Sequence, residues 1–183
     1  MSARLWLVPD PVPETVEVGE STDAMSTLAS GVSIVTCRHA GRPWGVTVTS
    51  FASVSIDPPT VLVSLVSDGT AARAIEADGR FGVSILAEDQ LAVARHGSIR
   101  GAPKFLDDLV DPADDIPAVT GAVAHLDCEL SDEIRVADHT VFVGRVQAAR
   151  STREGRPLLH HRRDYGALAT YRPTERGTTW LAN

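Results

Sequence analysis

The most informative part of the chain reads Gly45-Val-Thr-Val-Thr-Ser-Phe-Ala-Ser-Val-Ser-Ile-Asp-Pro-Pro59. Its first half alternates apolar and hydroxyl side chains, so Val46 and Val48 share one face of a predicted strand while Thr47 and Thr49 share the other. A second alternating run follows, and the proline pair ends it because proline cannot join a central strand ladder. The stretch therefore predicts two short strands that end in a turn.

The flanking sequence extends this pattern in both directions. Upstream, Val32 to Cys37 alternates polar and β-branched residues, and His39 to Pro43 is a short turn in which Gly41 can take a positive φ. These two runs predict a β-hairpin. Downstream, Thr60 to Val66 is almost continuously apolar, which predicts a strand buried on both faces.

The rest of the chain predicts further strands and short helices. Helices are expected at Ser21–Ala29 (with Ser21 or Thr22 as N-cap), Thr70–Ala77 (ending at a Gly79 C-cap) and Glu88–Arg95, and strands at Phe81–Leu86, Ala122–Ser131, Thr140–Ala148, Leu158–His160 and Asp164–Thr170. Glycine and proline punctuate residues 97–121, which predicts a loop. Strands follow one another without strict βαβ alternation, so we expect a mainly β fold with short helices that forms a closed or split barrel.

Composition limits the classes of function. A length of 183 residues predicts one domain, and a net charge of −7 without a basic stripe argues against nucleic acid as a partner. No apolar run is long enough for a membrane helix or a signal peptide, and two distant cysteines fit buried small hydrophobes in a reducing compartment. We expect a cytoplasmic protein with an extended arm at residues 1–22, a domain at 23–172 and a tail at 173–183.

Common catalytic and nucleotide-binding motifs are missing. The chain contains no GxGxxG, P-loop, GxSxG or HExxH pattern. His160 and His161 are adjacent on a predicted strand and point to opposite faces, so we expect no metal site there.

Three segments are candidates for chemistry. Gly45 to Phe51 offers hydroxyls and backbone groups to a flat, polar-edged ring, although an ordinary amphipathic strand has the same pattern. Ser67-Asp68-Gly69-Thr70 opens a helix whose free N–H groups suit a phosphate, although a simple N-cap turn is equally compatible. Asp138-His139 sets a carboxylate beside an imidazole, and a strand-entry turn with a surface histidine is the plainer interpretation.

In their order and spacing these segments resemble the flavin reductase-like family of FMN-binding split β-barrels, the short-chain reductase components of two-component monooxygenases. The resemblance covers about residues 24 to 170, and its most specific part is the run from Gly45 to Pro59 with Asp138-His139 some eighty residues later. It implies a Greek-key-like homodimer that carries its flavins near the subunit interface. It also implies hydride transfer from NADH or NADPH to FMN or FAD, with reduced flavin passing to a partner monooxygenase.

The resemblance implies roles for individual residues. The strand Thr47, Val48, Thr49 and Ser50 would line the flavin ring edge, and Ser64 and Leu65 would lie along the ring. Ser67, Gly69, Thr70 and Lys104 would hold the phosphate, Phe105 would form an apolar wall, and His139 would face the nicotinamide as the catalytic residue.

The chain departs from the family pattern at several positions. Asp68 is acidic within the phosphate turn, Ala137 replaces the glycine common before Asp-His, and His96 stands where a phenylalanine is expected. The acidic turn favours a weakly held, exchangeable flavin. Three other functions remain open: a non-catalytic flavin- or haem-binding module, an oxidase or oxygenase that retains its flavin, and a purely structural domain.

Overall fold

The structure is a computed structural model that describes residues 16–111 and 114–169. Within those residues the chain forms three helices and ten strands. In chain order they are α1 (Val18–Ser26), β1 (Ser30–Gly31), β2 (Ser33–His39), β3 (Arg42–Val48), β4 (Ala52–Ile56), β5 (Pro59–Val66), α2 (Thr70–Asp78), β6 (Arg80–Ile85), α3 (Leu91–Ser98), β7 (Ala124–Val136), β8 (His139–Ser151), β9 (Leu158–His161) and β10 (Asp164–Ala167).

Two antiparallel sheets contain all of these strands. The larger sheet has the strand order β3-β2-β6-β7-β8-β5-β4, and a small sheet has the order β1-β9-β10. The larger sheet curls until β3 faces β5, where the Ser50 hydroxyl donates to the Ser64 carbonyl at 2.9 Å. This arrangement is a split barrel, which confirms the predicted mainly β fold with short helices.

The predicted hairpin is present. Strands β2 and β3 pair from Ser33 opposite Val48 to His39 opposite Arg42. The turn between them uses positive φ at Ala40 (51°) and Gly41 (75°), which is the geometry that a two-residue hairpin turn requires.

The prediction that β5 is buried on both faces is wrong. Val61, Val63 and Leu65 point into the barrel and are buried, whereas Leu62 is only half-buried and Val66 is 50% exposed on the other face. The strand lies in an antiparallel barrel, so only one of its faces reaches the core. Its outer face carries Leu62 and Val66 on either side of Ser64.

Helix α2 ends at Gly79 as predicted, but the other two helices are displaced from their predicted bounds. Helix α1 begins at Val18 with Glu17 as N-cap. The predicted N-cap, Ser21 or Thr22, is wrong because both residues lie inside the helix, where the Thr22 hydroxyl donates to the Val18 carbonyl at 2.7 Å. Helix α3 begins at Leu91, because Gln90 Oε1 accepts the Ala87 N–H at 2.9 Å and fixes a turn there.

Strands β7 and β8 are longer than predicted and form one hairpin. Val136 pairs with His139, so Ala137 and Asp138 alone make the turn. Ala137 has a φ of 52°, a left-handed conformation that glycine adopts at less cost. The predicted extended arm is helical from Val18 onward, and the last predicted strand ends at Ala167. Residues 1–15 of the arm, residue 170 of that strand and the predicted tail at 173–183 lie outside the described residues.

The barrel core is built around two phenylalanines and α2. Phe81 and Phe142 are fully buried, as is Ile75 of α2. A Cβ at Gly144 would lie 2.5 Å from Phe81 Cζ, so the glycine makes room for that ring. Fully burying such a side chain contributes roughly 1.5–3 kcal/mol.

Both cysteines belong to this core, as the sequence predicts. Cys37 and Cys128 are free and buried, and burial raises the pKa of each thiol to about 12. Separately, none of the helices in the described residues is long and apolar enough to span a membrane.

A buried histidine links strands β6 and β7. His125 is 4% exposed, with Nδ1 2.8 Å from Ser84 Oγ and Nε2 2.9 Å from Asp127 Oδ1. The Asp127 carboxylate can only accept, so Nε2 carries the proton of the neutral imidazole, and Nδ1 accepts from Ser84 Oγ, which itself accepts the Val119 N–H. Burial holds the pKa of His125 below its usual value of 6.5, outweighing the opposing effect of Asp127.

We predict that the folded state loses stability as the pH falls below about 6.5, because the unfolded chain then binds a proton at His125 that the folded chain does not. Each unit of pKa depression contributes about 1.4 kcal/mol of this loss. In urea unfolding at several pH values, the free energy of unfolding should fall less at low pH for His125→Gln than for the wild type. The exposed His161→Gln serves as the control, and equal pH dependence in all three proteins contradicts the prediction.

Candidate functional site

Two adjoining cavities lie where β3 faces β5. The first has a volume of about 280 Å³ and the second of about 340 Å³. Val46, Thr47, Leu65 and Val66 line both, so the two form one continuous groove. Its size and its mixture of apolar walls and polar groups suit a small-molecule site.

One edge of the groove is open backbone. The Gly45 N–H donates to the Lys104 carbonyl and the Pro43 carbonyl accepts the Leu106 N–H, both at 3.0 Å, so these residues direct their backbone groups away from β2. Along a strand, the N–H and C=O groups of successive residues point to opposite sides. Thr47 is two residues after Gly45, so its backbone groups point to the same side as those of Gly45. The N–H and C=O of Thr47 therefore also face away from β2, beside the groove that Thr47 lines.

Close packing fixes the position of this edge. The Thr47 hydroxyl donates to the Ala94 carbonyl of α3 at 2.7 Å, and a Cβ at Gly97 would lie 3.0 Å from the Thr47 amide nitrogen and closer still to its hydroxyl. Only glycine allows α3 to approach so closely. At the far end, Ser50 joins β5 by accepting the Ser64 N–H at 3.2 Å as well as donating to its carbonyl.

The first cavity ends at the start of α2. Gly69, Thr70 and Ala71 line it, and the first N–H groups of a helix have no partner within the helix. Lys104 lines the same cavity and is half-buried. These groups favour an anion, while the exposed Asp68 adds one opposing charge to the turn.

The second cavity contains His139 on its wall. His139 Nδ1 donates to Asp138 Oδ1 at 2.8 Å, and this bond holds the pKa of the Asp138 carboxyl below its usual range. Among the described residues, His139 Nε2 has no hydrogen-bond partner. The imidazole therefore presents Nε2 to a ligand while the carboxylate holds its other nitrogen.

All of the predicted site residues except Ser67 and Phe105 line the groove. Ser67 is buried beside the groove. Its hydroxyl lies 2.9 Å from the Thr140 hydroxyl, and its N–H donates a hydrogen bond to the Asp138 carbonyl. Phe105 packs edge-on behind Trp44, with ring centroids 4.9 Å apart, and Trp44 forms the wall.

Sequence reasoning missed several residues that line the first cavity. The most important is Arg100, whose positive charge also contributes to the low pKa of Asp138. No local sequence pattern identifies Arg100 as a cavity residue, because it lies between Gly97 and Gly101 in a loop whose path the sequence does not show. Gly97 and Ser98 were missed because α3 was predicted to end at Arg95.

A separate cavity of about 360 Å³ contains none of the predicted residues. Its charged groups include Arg150 and Asp114, which form an ion pair at 2.9 Å, and its His125 has both ring nitrogens hydrogen-bonded. The groove between β3 and β5 is the better candidate site.

Comparison with known proteins agrees with this geometry. The model of the flavin reductase like domain matches residues 25–169. The chain belongs to the flavin reductase-like family. The match spans both cavities and every strand of the barrel, and it confirms the resemblance found in the sequence.

Individual relatives agree with the family. The chain is 33% identical to the reductase component of 4-nitrophenol 4-monooxygenase/4-nitrocatechol 2-monooxygenase from Rhodococcus opacus, over 97% of each chain. It is 37% identical to NADH:riboflavin 5'-phosphate oxidoreductase from Streptomyces pristinaespiralis, over 85% of this chain and 91% of the relative. The solved NADH:FAD oxidoreductase from Streptomyces globisporus, in complex with NAD and FAD fragments, matches with a TM-score of 0.75 and 30% identity over 82% of this chain and 92% of that one. The protein is thus an oxidoreductase of the flavin reductase type.

Proposed function

We propose that this protein transfers hydride from NADH or NADPH to FMN or FAD and supplies the reduced flavin to a partner monooxygenase in the cytoplasm. One observation carries the proposal: the strand predicted for the ring edge and two residues of the turn predicted for the phosphate, Gly69 and Thr70, line one continuous groove. The names of the relatives, which include a monooxygenase reductase component and two NADH-dependent oxidoreductases acting on riboflavin 5'-phosphate or FAD, support the same activity.

The groove fits a flavin at both of its ends. A flavin ring has apolar faces and a polar edge, and the groove offers Val46 and Leu65 as apolar wall beside the outward backbone of Thr47. Val48, Thr49, Ser50 and Ser64 continue this lining along the second cavity. Backbone donors at the ring edge stabilise the negative charge that reduction adds there.

The phosphate end of the flavin belongs in the first cavity. The N–H groups at the start of α2, with Gly69 and Thr70, give it a positive partial charge, and Lys104 adds a full charge. Ser67 contributes indirectly by anchoring the turn to β8 through Thr140.

His139 then orients the nicotinamide. When bound, the flavin supplies the redox chemistry by accepting a hydride, and the protein's task is to hold two rings in contact. Asp138 fixes the imidazole through Nδ1, which leaves Nε2 to hydrogen-bond the nicotinamide amide. His139 lines the second cavity, so a ring held against it lies next to a ring in the groove.

The decisive test is oxidation of NADH and NADPH by the purified protein, with and without added FMN or FAD. We expect turnover that requires free flavin and that reveals both cofactor preferences. Flavin binding without turnover would support the non-catalytic module instead. Retained flavin with slow reduction by either nicotinamide would support an oxidase or oxygenase.

We predict that His139→Ala raises the apparent KM for the nicotinamide cofactor by roughly threefold to tenfold, because one hydrogen bond to it is lost. Steady-state kinetics at saturating flavin measures this. His161→Ala, on the exposed end of β9, is the matched control. An unchanged nicotinamide KM in His139→Ala removes His139 from this role.

We also propose a homodimer built on the outer face of β5, β8 and β7. Pairing aligns Leu62 with Val143, Ser64 with Val141, and Val141 with Ile134 across the three strands. Ile134 and Val66 are about half exposed, at 48% and 50%. These exposed apolar side chains support a self-interface, with Asp132 beside Val143 at its margin, and the face adjoins the second cavity through Ser64 and Val66.

We predict that Ile134→Lys weakens the dimer, because a charge placed in an apolar self-interface loses its hydration on association. Light scattering after size-exclusion chromatography gives the mass. Leu168→Lys is the control, since Leu168 is 52% exposed but lies outside this face. A wild-type monomer, or an unchanged dimer in Ile134→Lys, rejects this interface.

A further inference from the structure

The loop at residues 99–104, together with Gly97 and Ser98 at the end of α3, forms one wall of the first cavity. It leaves the end of α3 and returns to the sheet where Lys104 and Leu106 hydrogen-bond to β3 through Gly45 and Pro43, each at 3.0 Å. Trp44 and Phe105 face each other in this short pairing. The loop is therefore tied to the sheet at its C-terminal end.

A side chain closes the loop at its base. The Lys104 carbonyl and Leu106 N–H point towards β3, so the Phe105 carbonyl between them points away from it. His96 Nε2 lies 2.9 Å from that carbonyl oxygen and donates to it. His96 precedes the loop and Phe105 follows it, so this one hydrogen bond joins the two ends.

A second contact holds the same base from the solvent side. The Arg42 guanidinium lies 3.8 Å from the centre of the Phe105 ring and forms an ion pair with Asp107. Phe105 is thus held by its ring and its carbonyl together. All of these contacts lie within the protein, so the base of the loop does not depend on a ligand for its position.

The closed loop directs positive charge into the cavity. Arg100 and Lys104 line the first cavity from the loop, while Gly69, Thr70 and Ala71 line it from the start of α2. Two full positive charges and the free N–H groups of the first turn of α2 line this space and outweigh the exposed Asp68, so the space suits a phosphate dianion. The side chains of the α2 turn supply no positive charge there.

We propose that His96 is a positioning residue that latches this loop, and that Arg100 of the loop contacts the flavin phosphate. The inference rests on the proposed flavin binding and adds to it the source of phosphate affinity. His96 touches no ligand: it acts by fixing Phe105, and through it Lys104 and Arg100. An unlatched loop keeps its charges but loses their arrangement around the phosphate.

The test compares FMN with riboflavin, which has the same ring and no phosphate. Fluorescence quenching gives the dissociation constant of each ligand, and NADH-driven turnover gives kcat and KM. We expect Arg100→Gln to raise the dissociation constant for FMN by roughly threefold to tenfold and to leave that for riboflavin unchanged. Arg95→Gln, an exposed charge on α3 outside the cavity, should change neither ligand.

Three changes at His96 test the latch. His96→Phe removes the donor, and His96→Asn keeps a polar side chain too short to reach the Phe105 carbonyl. Both should weaken the binding of FMN and not that of riboflavin, while kcat at saturating FMN stays within about twofold of the wild type. His96→Gln, whose amide can donate to the same carbonyl, should restore most of the FMN affinity. Thermal unfolding confirms that each variant is folded, and His96→Asn and Arg100→Gln carry the test if His96→Phe is not.

The outcomes separate this inference from the proposed function. Equal weakening of FMN and riboflavin in the His96 variants means a general structural role and overturns the latch. No change in FMN affinity in Arg100→Gln overturns the phosphate contact. A wild type that binds FMN more tightly than riboflavin but oxidises no NADH loses the proposed function, while the selective losses at Arg100 and His96 would still establish the inference.

Discussion

The unpaired outer edge of β3 is the constraint on which the rest of the site depends. An exposed strand edge presents backbone donors and acceptors that must be paired, covered or used. Here the segment around Phe105 covers its beginning through Gly45, and Ser50 ties its far end to β5. Between these two closures Thr47 keeps its backbone groups turned towards the groove, so the split in the barrel and the ligand site are one feature.

Small residues let the surrounding elements reach this edge. Gly97 brings α3 against Thr47, and Gly144 admits the Phe81 ring that fills the barrel behind it. Neither glycine needs a positive φ, so their value lies in close approach. The result is a groove whose walls are fixed by packing, which lowers the ordering cost of binding.

Local patterns in the sequence predicted much of the fold and most of the groove. The hairpin of β2 and β3 and the end of α2 at Gly79 followed from alternation and turn chemistry, which depend on near neighbours. The half-exposed outer face of β5 did not, because burial on a second face is decided by what packs there. Arg100 was missed for a similar reason: its place in the cavity depends on a loop path fixed by His96 and Phe105, which no local pattern encodes.

The burial of the two cysteines bears on how the protein withstands oxidation. Free reduced flavin reduces oxygen to peroxide, and the form of cysteine that attacks peroxide is the thiolate rather than the thiol. Cys37 and Cys128 are buried with pKa values of about 12, so both stay protonated and shielded. Among the described residues the sulfur open to an oxidant is that of Met25 on α1, 65% exposed. Burial thus protects both core sulfurs from the side product of flavin reduction.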